Sequence, residues 1–234
     1  SPTITWDSPT PAPNSLGWHN TPVQLSFTVV AHPSGLAFAT PASPLQFNTE
    51  GENQTQQVTV IDEVGEPATL TSPSVKIDLT APVTNSAVAG VVGPGATQWY
   101  RDNAQVTLTR ADNLSGIQLT SYTLDGVTQG YLSPFTIRTD GSHTLNYWSS
   151  DRAGNIETQQ SRVINVDVNA PVTQISAGNG FYASPTEVTL TATDSGSGVA
   201  NTFYQYNFGP TQTYSGPFTA SGDGNQSIVF WSSD

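Results

Sequence analysis

Short blocks of sequence recur along this 234-residue chain at a nearly constant interval. The tetrapeptide APVT at 81–84 is repeated at 170–173, and YWSSD at 147–151 returns as FWSSD at 230–234. An interval of roughly 80 to 90 residues is long enough for one small domain, so this spacing indicates an array of similar units rather than one large core. The repetition constrains the fold more than any other feature of the sequence.

The repeats divide the chain into three predicted domains, 1–80, 81–169 and 170–234, which we call the first, second and third segments. The first segment fits the pattern more loosely, although residues 75–82 align well with residues 164–171. The matched blocks keep their order in the second and third segments, and the interval changes only between blocks, as differences in loop length would produce. We therefore expect three domains of one fold.

The third segment stops before the run at 157–168 that ends the second segment. We expect the third domain to lack its last strand for this reason. Either the chain is a piece cut from a longer protein, which the abrupt end favours, or a strand from a neighbouring molecule completes the domain, as in donor-strand assembly. An unpaired strand edge would otherwise be an aggregation hazard.

Each segment has the pattern of many short strands. Runs such as 106–109 and 143–147 alternate in polarity, contain many β-branched and aromatic residues, and are bounded by Gly, Pro, Asn and Asp. No window shows a sustained helical period. About seven such strands per segment predict an antiparallel β-sandwich. Pro82 and Pro171 restrict the backbone of the short linkers, so the three sandwiches are expected to form a semi-rigid rod.

The composition excludes several classes of function. Six Lys and Arg residues against 18 Asp and Glu residues give a net charge of −12, which disfavours binding to nucleic acids. The apolar runs are too short to insert into a membrane. Cys is absent, which excludes disulfides, thiolate metal sites and a cysteine nucleophile. Met is also absent and residues 1–3 carry no signal region, so we expect a processed piece of a longer chain.

The second segment carries turn motifs at 112–116 (DNLSG), 133–135 (SPF) and 150–155 (SDRAGN). With these motifs it resembles bacterial immunoglobulin-like (Ig-like) repeats, and its Asp-x-Ala-Gly-Asn turn is similar to that of hyalin-repeat modules. The resemblance covers the second segment fully, the third up to its end, and the first only in strand order and linker. It implies Ig-like sandwiches of a secreted or cell-surface protein, where such domains serve as spacers, adhesive modules or appendages of larger enzymes.

Acidic residues recur at one end of each predicted sandwich. In an Ig-like sandwich, the loops after the second and sixth strands lie where the chain enters from the preceding domain. Three carboxylates that converge there, with hydroxyl and carbonyl oxygens nearby, would be the hard ligands that Ca²⁺ prefers. The hypothesis is a calcium site at each junction, with Asp78, Asp112 and Asp151 as ligands at the first and Asp167, Asp194 and Asp234 at the second.

The same carboxylates also have a simpler interpretation. Asp side chains commonly accept backbone N–H bonds within their own turns, and the spacing here matches no known calcium-binding loop. The linkers at 78–82 and 167–171 nevertheless resemble the calcium-binding linkers of cadherins. No cofactor is required on the first interpretation, whereas Ca²⁺ would stiffen the rod on the second.

Aromatic residues form another pattern. Trp148 and Trp231 take one register of the sixth strand and Leu145 takes the other, so the tryptophans face outward if Leu145 faces the core. Tyr122 and Tyr204 occupy matching positions of the third strand, which neighbours the sixth. An outward Trp beside a Tyr could stack on a sugar ring. The alternative is a cross-strand aromatic pair that shields the sheet.

A further group of aromatic residues precedes the second strand of every segment. Because the group recurs in all three, we expect it to plug one end of each sandwich rather than to bind a ligand. Its members are Trp18, Trp99, Tyr100, Phe181 and Tyr182.

The sequence favours a non-catalytic role. It contains no Gly-x-Ser-x-Gly elbow, His-Glu-x-x-His pair or phosphate-binding glycine loop, and His19, His32 and His143 lie in unrelated contexts. A Ser-His-Asp triad stays open, since its members need not be adjacent in sequence. We predict a secreted or cell-surface spacer, adhesion or assembly segment whose partners are neighbouring domains of a longer chain. The alternatives are a carbohydrate- or protein-binding module that uses the outward aromatics, and a strand-complemented subunit of a surface filament.

Overall fold

The computed structural model describes residues 2–30 and 35–234, and every regular element within them is a β-strand. The all-β prediction is confirmed, and the paired sheets are those of β-sandwich domains. Each sheet draws its strands from one of the three segments. None of the described residues forms a helix long and apolar enough to cross a membrane. His32 lies outside the described residues.

The described part of the first segment contains ten short strands. They are β1 (Thr3–Trp6), β2 (Trp18–His19), β3 (Val23–Leu25), β4 (Phe27–Val30), β5 (Leu36–Thr40), β6 (Leu45–Phe47), β7 (Gly51–Gln54), β8 (Gln57–Asp62), β9 (Pro67–Thr71) and β10 (Val75–Ile77). They form four small sheets with the orders β1-β4, β3-β6, β2-β10-β7 and β5-β8-β9. The last strand, β10, pairs in parallel with β2.

The second segment forms one continuous sheet that folds over on itself. Its strands are β11 (Val83–Val92), β12 (Trp99–Ala111), β13 (Ile117–Leu124), β14 (Val127–Gly130), β15 (Phe135–Ile137), β16 (Gly141–Asp151) and β17 (Gln160–Asp167). The order is β11-β12-β17-β16-β13-β14, and β15 also pairs with β12. Residues 99–101 of β12 pair with β17 and residues 104–106 pair with β15. Asp102, at a φ of 67°, lies between these two halves.

The first two segments bury separate apolar cores. In the second, alternate residues of β16 and β17 point inward, so Leu145, Ile164 and Val166 are at most 1% exposed. Leu145 therefore faces the core, which is the condition under which Trp148 is expected to face the other way. The core of the first segment centres on Val23, Leu25, Leu45, Val58, Val60 and Ile77.

The third segment is more open. Its strands are β18 (Val172–Ile175), β19 (Thr186–Val188), β20 (Leu190–Thr193), β21 (Asn201–Tyr206), β22 (Gln212–Thr213), β23 (Phe218–Ala220) and β24 (Ile228–Ser233). They form the small sheets β18-β20, β19-β23 and β22-β21-β24. Within residues 170–234, all of which are described, the buried apolar side chains are Val188 and Leu190. β24 pairs with β21 along one edge, and no described strand pairs with its other edge.

The predicted aromatic plug is present in two segments and absent from the third. Trp18 and Tyr100 are 6% and 5% exposed, and each lies in a stretch that pairs in parallel with the last strand of its segment. Phe181 and Tyr182 are instead fully and 54% exposed. The prediction is wrong for the third segment because no described strand covers these two rings.

Candidate functional site

Three aspartates converge at the junction of the first and second segments. Asp78 follows β10, Asp112 follows β12 and Asp151 ends β16, and each offers a carboxylate oxygen within 4.8 Å of the others. At this spacing, two carboxylates repel by roughly 3 kcal/mol at an effective dielectric constant of about 20. Among the described residues, no Lys, Arg or His nitrogen lies within ion-pair distance of the three. The junction therefore concentrates negative charge without an ion pair, although Nη1 of Arg152 lies near Gly116, 3.9 Å from where a Cβ would stand.

The hydrogen bonds that the turn interpretation predicts are also present. Oδ2 of Asp112 accepts from the backbone N–H of Gly116 at 2.7 Å, and Oδ1 of Asp151 accepts from the N–H groups of Gly154 and Asn155 at 2.7 and 2.8 Å. Oδ1 of Asp112 is buried and has no hydrogen-bond partner among the described residues. Turn formation thus uses one oxygen of Asp112 and leaves the other with unused acceptor capacity.

Side-chain hydrogen bonds join the two segments around Asp78, which is fully buried. Its Oδ2 accepts from the backbone N–H of Ser115 at 2.8 Å, and Nδ2 of Asn155 donates to its carbonyl oxygen at 2.9 Å. Nδ2 of Asn14 donates to the carbonyl oxygen of Arg152 at 2.8 Å. These contacts hold the turns of the second segment against the end of the first.

Glu50 is a fourth acidic residue at this junction. Its Oε1 accepts from the hydroxyl of Thr80 at 2.6 Å and from the N–H of Leu79 at 2.8 Å, while its Oε2 accepts from Nδ2 of Asn113 at 3.1 Å. The hydrogen bond from Thr80, followed by that from Leu79, holds the pKa of Glu50 below its usual value. Sequence reasoning missed Glu50, because an acidic residue far from the linker in sequence carries no spacing signal.

The second junction brings together Asp167, Asp194 and Asp234, again with carboxylate oxygens within 4.8 Å of one another. Here a protein cation is present. Nη1 of Arg101 lies 3.8 Å from Oδ1 of Asp234 and also donates to its carbonyl oxygen. The position that matches Arg101 in the first segment holds the uncharged Asn20, so the two clusters differ in charge balance.

Hydrogen bonds within the second cluster stabilise the ionised form of Asp167. Burial alone would raise the pKa of Asp167, but the N–H and hydroxyl of Ser197 and the N–H of Asn169 outweigh burial and lower the pKa. The N–H groups of Ser197 and Asn169 lie 2.6 and 3.0 Å from the carboxylate. Asp194 caps its own turn, since its Oδ1 accepts from the N–H of Gly196 at 2.8 Å.

The predicted outward pair of Tyr122 and Trp148 does not form. Across the β13–β16 ladder Trp148 lies opposite Ser121, and Tyr122 lies opposite Tyr147. Because adjacent residues of a strand point to opposite faces, Tyr122 faces the core. It is 6% exposed and stacks on Phe135 with the ring centroids 4.3 Å apart. The proposed role of Tyr122 in ligand binding is therefore corrected to one in the core.

The third segment repeats this arrangement. Tyr204 lies opposite Phe230 and stacks on Phe218 at 4.2 Å, on the face away from Trp231. Tyr204 is therefore also not part of an outward pair with Trp231. Trp231 is 39% exposed and stacks on Phe203, with the ring centroids 5.6 Å apart and an interplanar angle of 28°. This Trp–Phe stack is the accessible aromatic feature of β24.

A hydroxyl, an imidazole and a carboxylate line up in the second segment. His143 Nδ1 lies 2.7 Å from Oδ2 of Asp125, and its Nε2 lies 3.3 Å from the hydroxyl and 2.9 Å from the carbonyl oxygen of Thr139. Burial would lower the pKa of His143, but the bonds to Asp125 and Thr139 and the charge of Asp140 raise it. Because Nε2 faces a carbonyl acceptor it carries a proton, so it does not serve as a general base for Thr139.

His19 is likewise held by the fold. It is 5% exposed, and its Nδ1 lies 3.0 Å from the carbonyl oxygen of Lys76. This bond ties β2 to β10, so the residue has a structural role beside the first junction.

No protein-family model matches this chain, and no curated protein sequence matches it. A search of solved structures finds the fibronectin(III)-like modules of Clostridium thermocellum CbhA, at 14% identity and a TM-score of 0.32, over 71% of this chain and 95% of that one. A Ca²⁺-stabilized adhesin that helps an Antarctic bacterium bind ice aligns at 15% identity and a TM-score of 0.32, over 99% and 72% of the two chains. A Bacteroides ovatus glucan-utilization protein, SGBP-B, aligns at 14% identity and a TM-score of 0.18, over 87% and 63%. At these values, function has to be inferred from the residues themselves.

Proposed function

We propose that this chain is a non-catalytic spacer or adhesion segment of a secreted or cell-surface protein, built of three tandem Ig-like sandwiches that divide after residues 80 and 169. The separate cores of the first two segments support the division, and so does the absence of sheet pairing between segments in the described residues. The side-chain bonds across the first junction support a restricted angle between neighbours. A rod of this kind holds a more distal domain away from a surface.

The first junction, in this proposal, binds Ca²⁺ through Asp78, Asp112 and Asp151. The supporting observation is the set of three carboxylates within 4.8 Å, two of them buried, with no ion pair to a Lys, Arg or His among the described residues. The unpartnered Oδ1 of Asp112 adds a buried acceptor to this set. Carboxylate oxygens from separate loops suit the flexible oxygen coordination of calcium. Arg101 partly balances the second cluster, so we expect that cluster to bind the ion more weakly.

Thermal unfolding with and without the ion tests the calcium proposal. Millimolar Ca²⁺ should raise Tm by several degrees relative to EDTA, because an ion at 100 times its Kd stabilises the folded state by about 2.7 kcal/mol. Asp112→Asn should remove most of the rise. Asp223→Asn makes the same charge change at an exposed site outside both clusters and should leave the rise intact. Equal Tm values in Ca²⁺ and EDTA for the unaltered protein would contradict the calcium site.

A second candidate function is glycan binding at the exposed stack of Trp231 on Phe203. Its favourable feature is an accessible indole backed by a second ring, which suits the apolar face of a sugar. A glycan array followed by titration calorimetry tests it. Trp231→Ala should abolish any hit, whereas Val229→Ala, an exposed residue of the same strand and face, should preserve it. An array without hits, or binding that survives Trp231→Ala, excludes this candidate.

A further inference from the structure

Asn179 and Gly180 form the one Asn-Gly pair of the sequence. They lie in a bend of the loop between β18 and β19. In an Asn-Gly pair the backbone nitrogen of the glycine reaches the preceding side-chain amide more readily than in other pairs, because glycine carries no side chain to obstruct the approach. This pair is therefore a candidate site of covalent modification.

Neither reacting group of this pair is held by the fold. The side chain of Asn179 is exposed, and it takes part in no hydrogen bond with the described residues. The backbone N–H of Gly180 likewise has no acceptor among the described residues. The nearest atoms to a Cβ built at Gly180 would be those of the Tyr182 ring, at 3.5 Å, so the nitrogen is open to approach.

The exposure of Asn179 does not result from the open form of the third segment. The matching position in the second segment is Thr97, which precedes Trp99 by two residues as Asn179 precedes Phe181. Thr97 is exposed too, and its side chain makes no hydrogen bond with the described residues, although β17 pairs with residues 99–101 beside it. A closed sandwich therefore leaves this position of the loop accessible.

The three Asp-Gly pairs of the sequence are less reactive than the Asn-Gly pair. A carboxylate is a weaker electrophile than an amide, so the same ring closure is slower at Asp. The fold also restrains two of the three. Oδ1 of Asp125 accepts from the N–H of Thr144 at 2.8 Å. Oδ1 of Asp140 accepts from the N–H of Val168 at 3.1 Å.

We propose that Asn179 is a site of spontaneous deamidation, at which this chain converts the residue to isoaspartate and aspartate without an enzyme. The backbone nitrogen of Gly180 attacks Cγ of Asn179, and the side-chain amide leaves as ammonia with the proton of that N–H. The product is a cyclic succinimide. Water then opens the ring, at the backbone carbonyl carbon to give isoaspartate or at Cγ to give aspartate. The sum consumes one water and releases one ammonia, without oxidation or reduction, and it does not depend on calcium.

The modification changes both the charge and the backbone of the loop. Each event adds one negative charge to a segment without Lys or Arg, and isoaspartate lengthens the main chain by one carbon atom next to Phe181. The rate should rise with pH, because hydroxide removes the N–H proton of Gly180 before the ring closes. The protein should therefore accumulate more acidic forms with age.

Incubation of the whole protein in ¹⁸O-labelled water at mildly alkaline pH, followed by peptide mapping, tests the proposal. The peptide that contains Asn179 should gain about 3 Da and should contain isoaspartate as well as aspartate. The gain should be at least about tenfold faster than at Asn225, which is also exposed but is followed by Gln. Gly180→Ala should slow it by a similar factor and leave Tm unchanged, because Gly180 lies outside the left-handed region and has room for a methyl group.

Three results would overturn the proposal. The first is the absence of a mass gain at Asn179; a synthetic peptide of residues 176–184 that reacts under the same conditions would then identify the fold as the protection. The second is an equal rate at Asn225 or in Gly180→Ala, since ring closure onto an unobstructed glycine nitrogen would not be the route. The third is aspartate without isoaspartate, which would indicate direct hydrolysis of the side chain.

Discussion

Nδ1 of His143 lies 2.7 Å from Oδ2 of Asp125, and this pair ties a hairpin tip to the start of β16. Asp125 occupies the tip between β13 and β14 at a φ of 49°, and its Oδ1 also accepts from the N–H of Thr144 at 2.8 Å. In the third segment the matching positions hold Asn207 and Gln226, whose side chains also hydrogen-bond to each other. The second segment makes this contact between an imidazole and a carboxylate, whereas the third makes it between two uncharged amides.

The stability of the second segment should depend on pH through His143. The pKa of this residue is raised in the folded state above 6.5, so its contribution is complete below about pH 6.5 and is lost as pH rises through the higher folded pKa. We expect unfolding of this segment to become easier over that range, by less than a fully buried pair would give, because the side chain of Asp125 is partly exposed. Chemical denaturation at a series of pH values measures the effect.

His143→Gln removes the titrating imidazole, puts at this position the residue type found at Gln226 in the third segment, and provides the control. Its second segment should be less stable than the parent at pH 6, and the fall in stability between about pH 6.5 and pH 8 should disappear. An unchanged fall in this variant would assign the pH dependence to another group.

Truncation of Leu145 should be far more costly than truncation of its counterpart Ile228. Leu145 is fully buried in the core of the second segment, so Leu145→Ala should lower the free energy of unfolding of that segment by about 2 to 5 kcal/mol. Ile228 is half-buried beside the free edge of β24, and Ile228→Ala should cost less than half as much. Hydrogen exchange resolved by segment measures both. Equal losses would mean that the edge is covered in solution.

Replacement of Glu157 should destabilise the second segment. Its carboxylate accepts hydrogen bonds from the backbone N–H groups of Thr84 and Ser149. In Glu157→Gln, the side-chain amide would place its own N–H groups against these donors, and such a contact is repulsive. We expect a loss of about 1 to 3 kcal/mol in unfolding free energy by urea titration. Glu187→Gln, on the exposed side of β19, is the matched control and should be neutral. A neutral Glu157→Gln would show that this carboxylate is not needed for closure.

Gly116 should not tolerate a side chain, although space for one exists. It has a φ of +83°, and its N–H donates to Asp112 at 2.7 Å. Gly116→Ala should therefore cost about 1 kcal/mol or slightly more, and it should weaken calcium binding if Asp112 is a ligand. Gly130→Ala is the control, because Gly130 lies outside the left-handed region with open space around it. Tm values with and without Ca²⁺ separate the two effects.

Local pattern was sufficient to predict the strands and the direction of several side chains. Period-two alternation predicted Leu145 and Trp148 on opposite faces of one strand, because successive side chains of a strand alternate in direction, and the structure places Leu145 in the core. The structure also brings together the same two trios of aspartates that loop positions in a sandwich suggested. Whether they bind calcium stays a prediction for the Tm measurements.

Strand register and contacts between segments were harder to predict from the sequence. Both interpretations of Tyr122, as a sugar-stacking neighbour of Trp148 or as half of a cross-strand aromatic pair with it, require the two rings to share a face, but the register of β13 against β16 sets Tyr122 opposite Tyr147 and in the core. Register between two strands depends on hydrogen bonds and packing across the sheet, and nothing in either strand alone states it. The ion pair of Arg101 with Asp234 was not predictable for a related reason, because it joins residues of different segments.

Repetition and polarity in the sequence account for the all-β fold, the expected units and the Asp-rich turns, because these properties arise from contacts between near neighbours in the chain. Tertiary packing alone decides that Arg101 faces one acidic cluster while Asn20 occupies the matching position at the other. It also decides that Tyr122 lies in the core, stacked on Phe135. The physical reason is that charge balance and burial depend on groups far apart in sequence, which meet only when the strands pair.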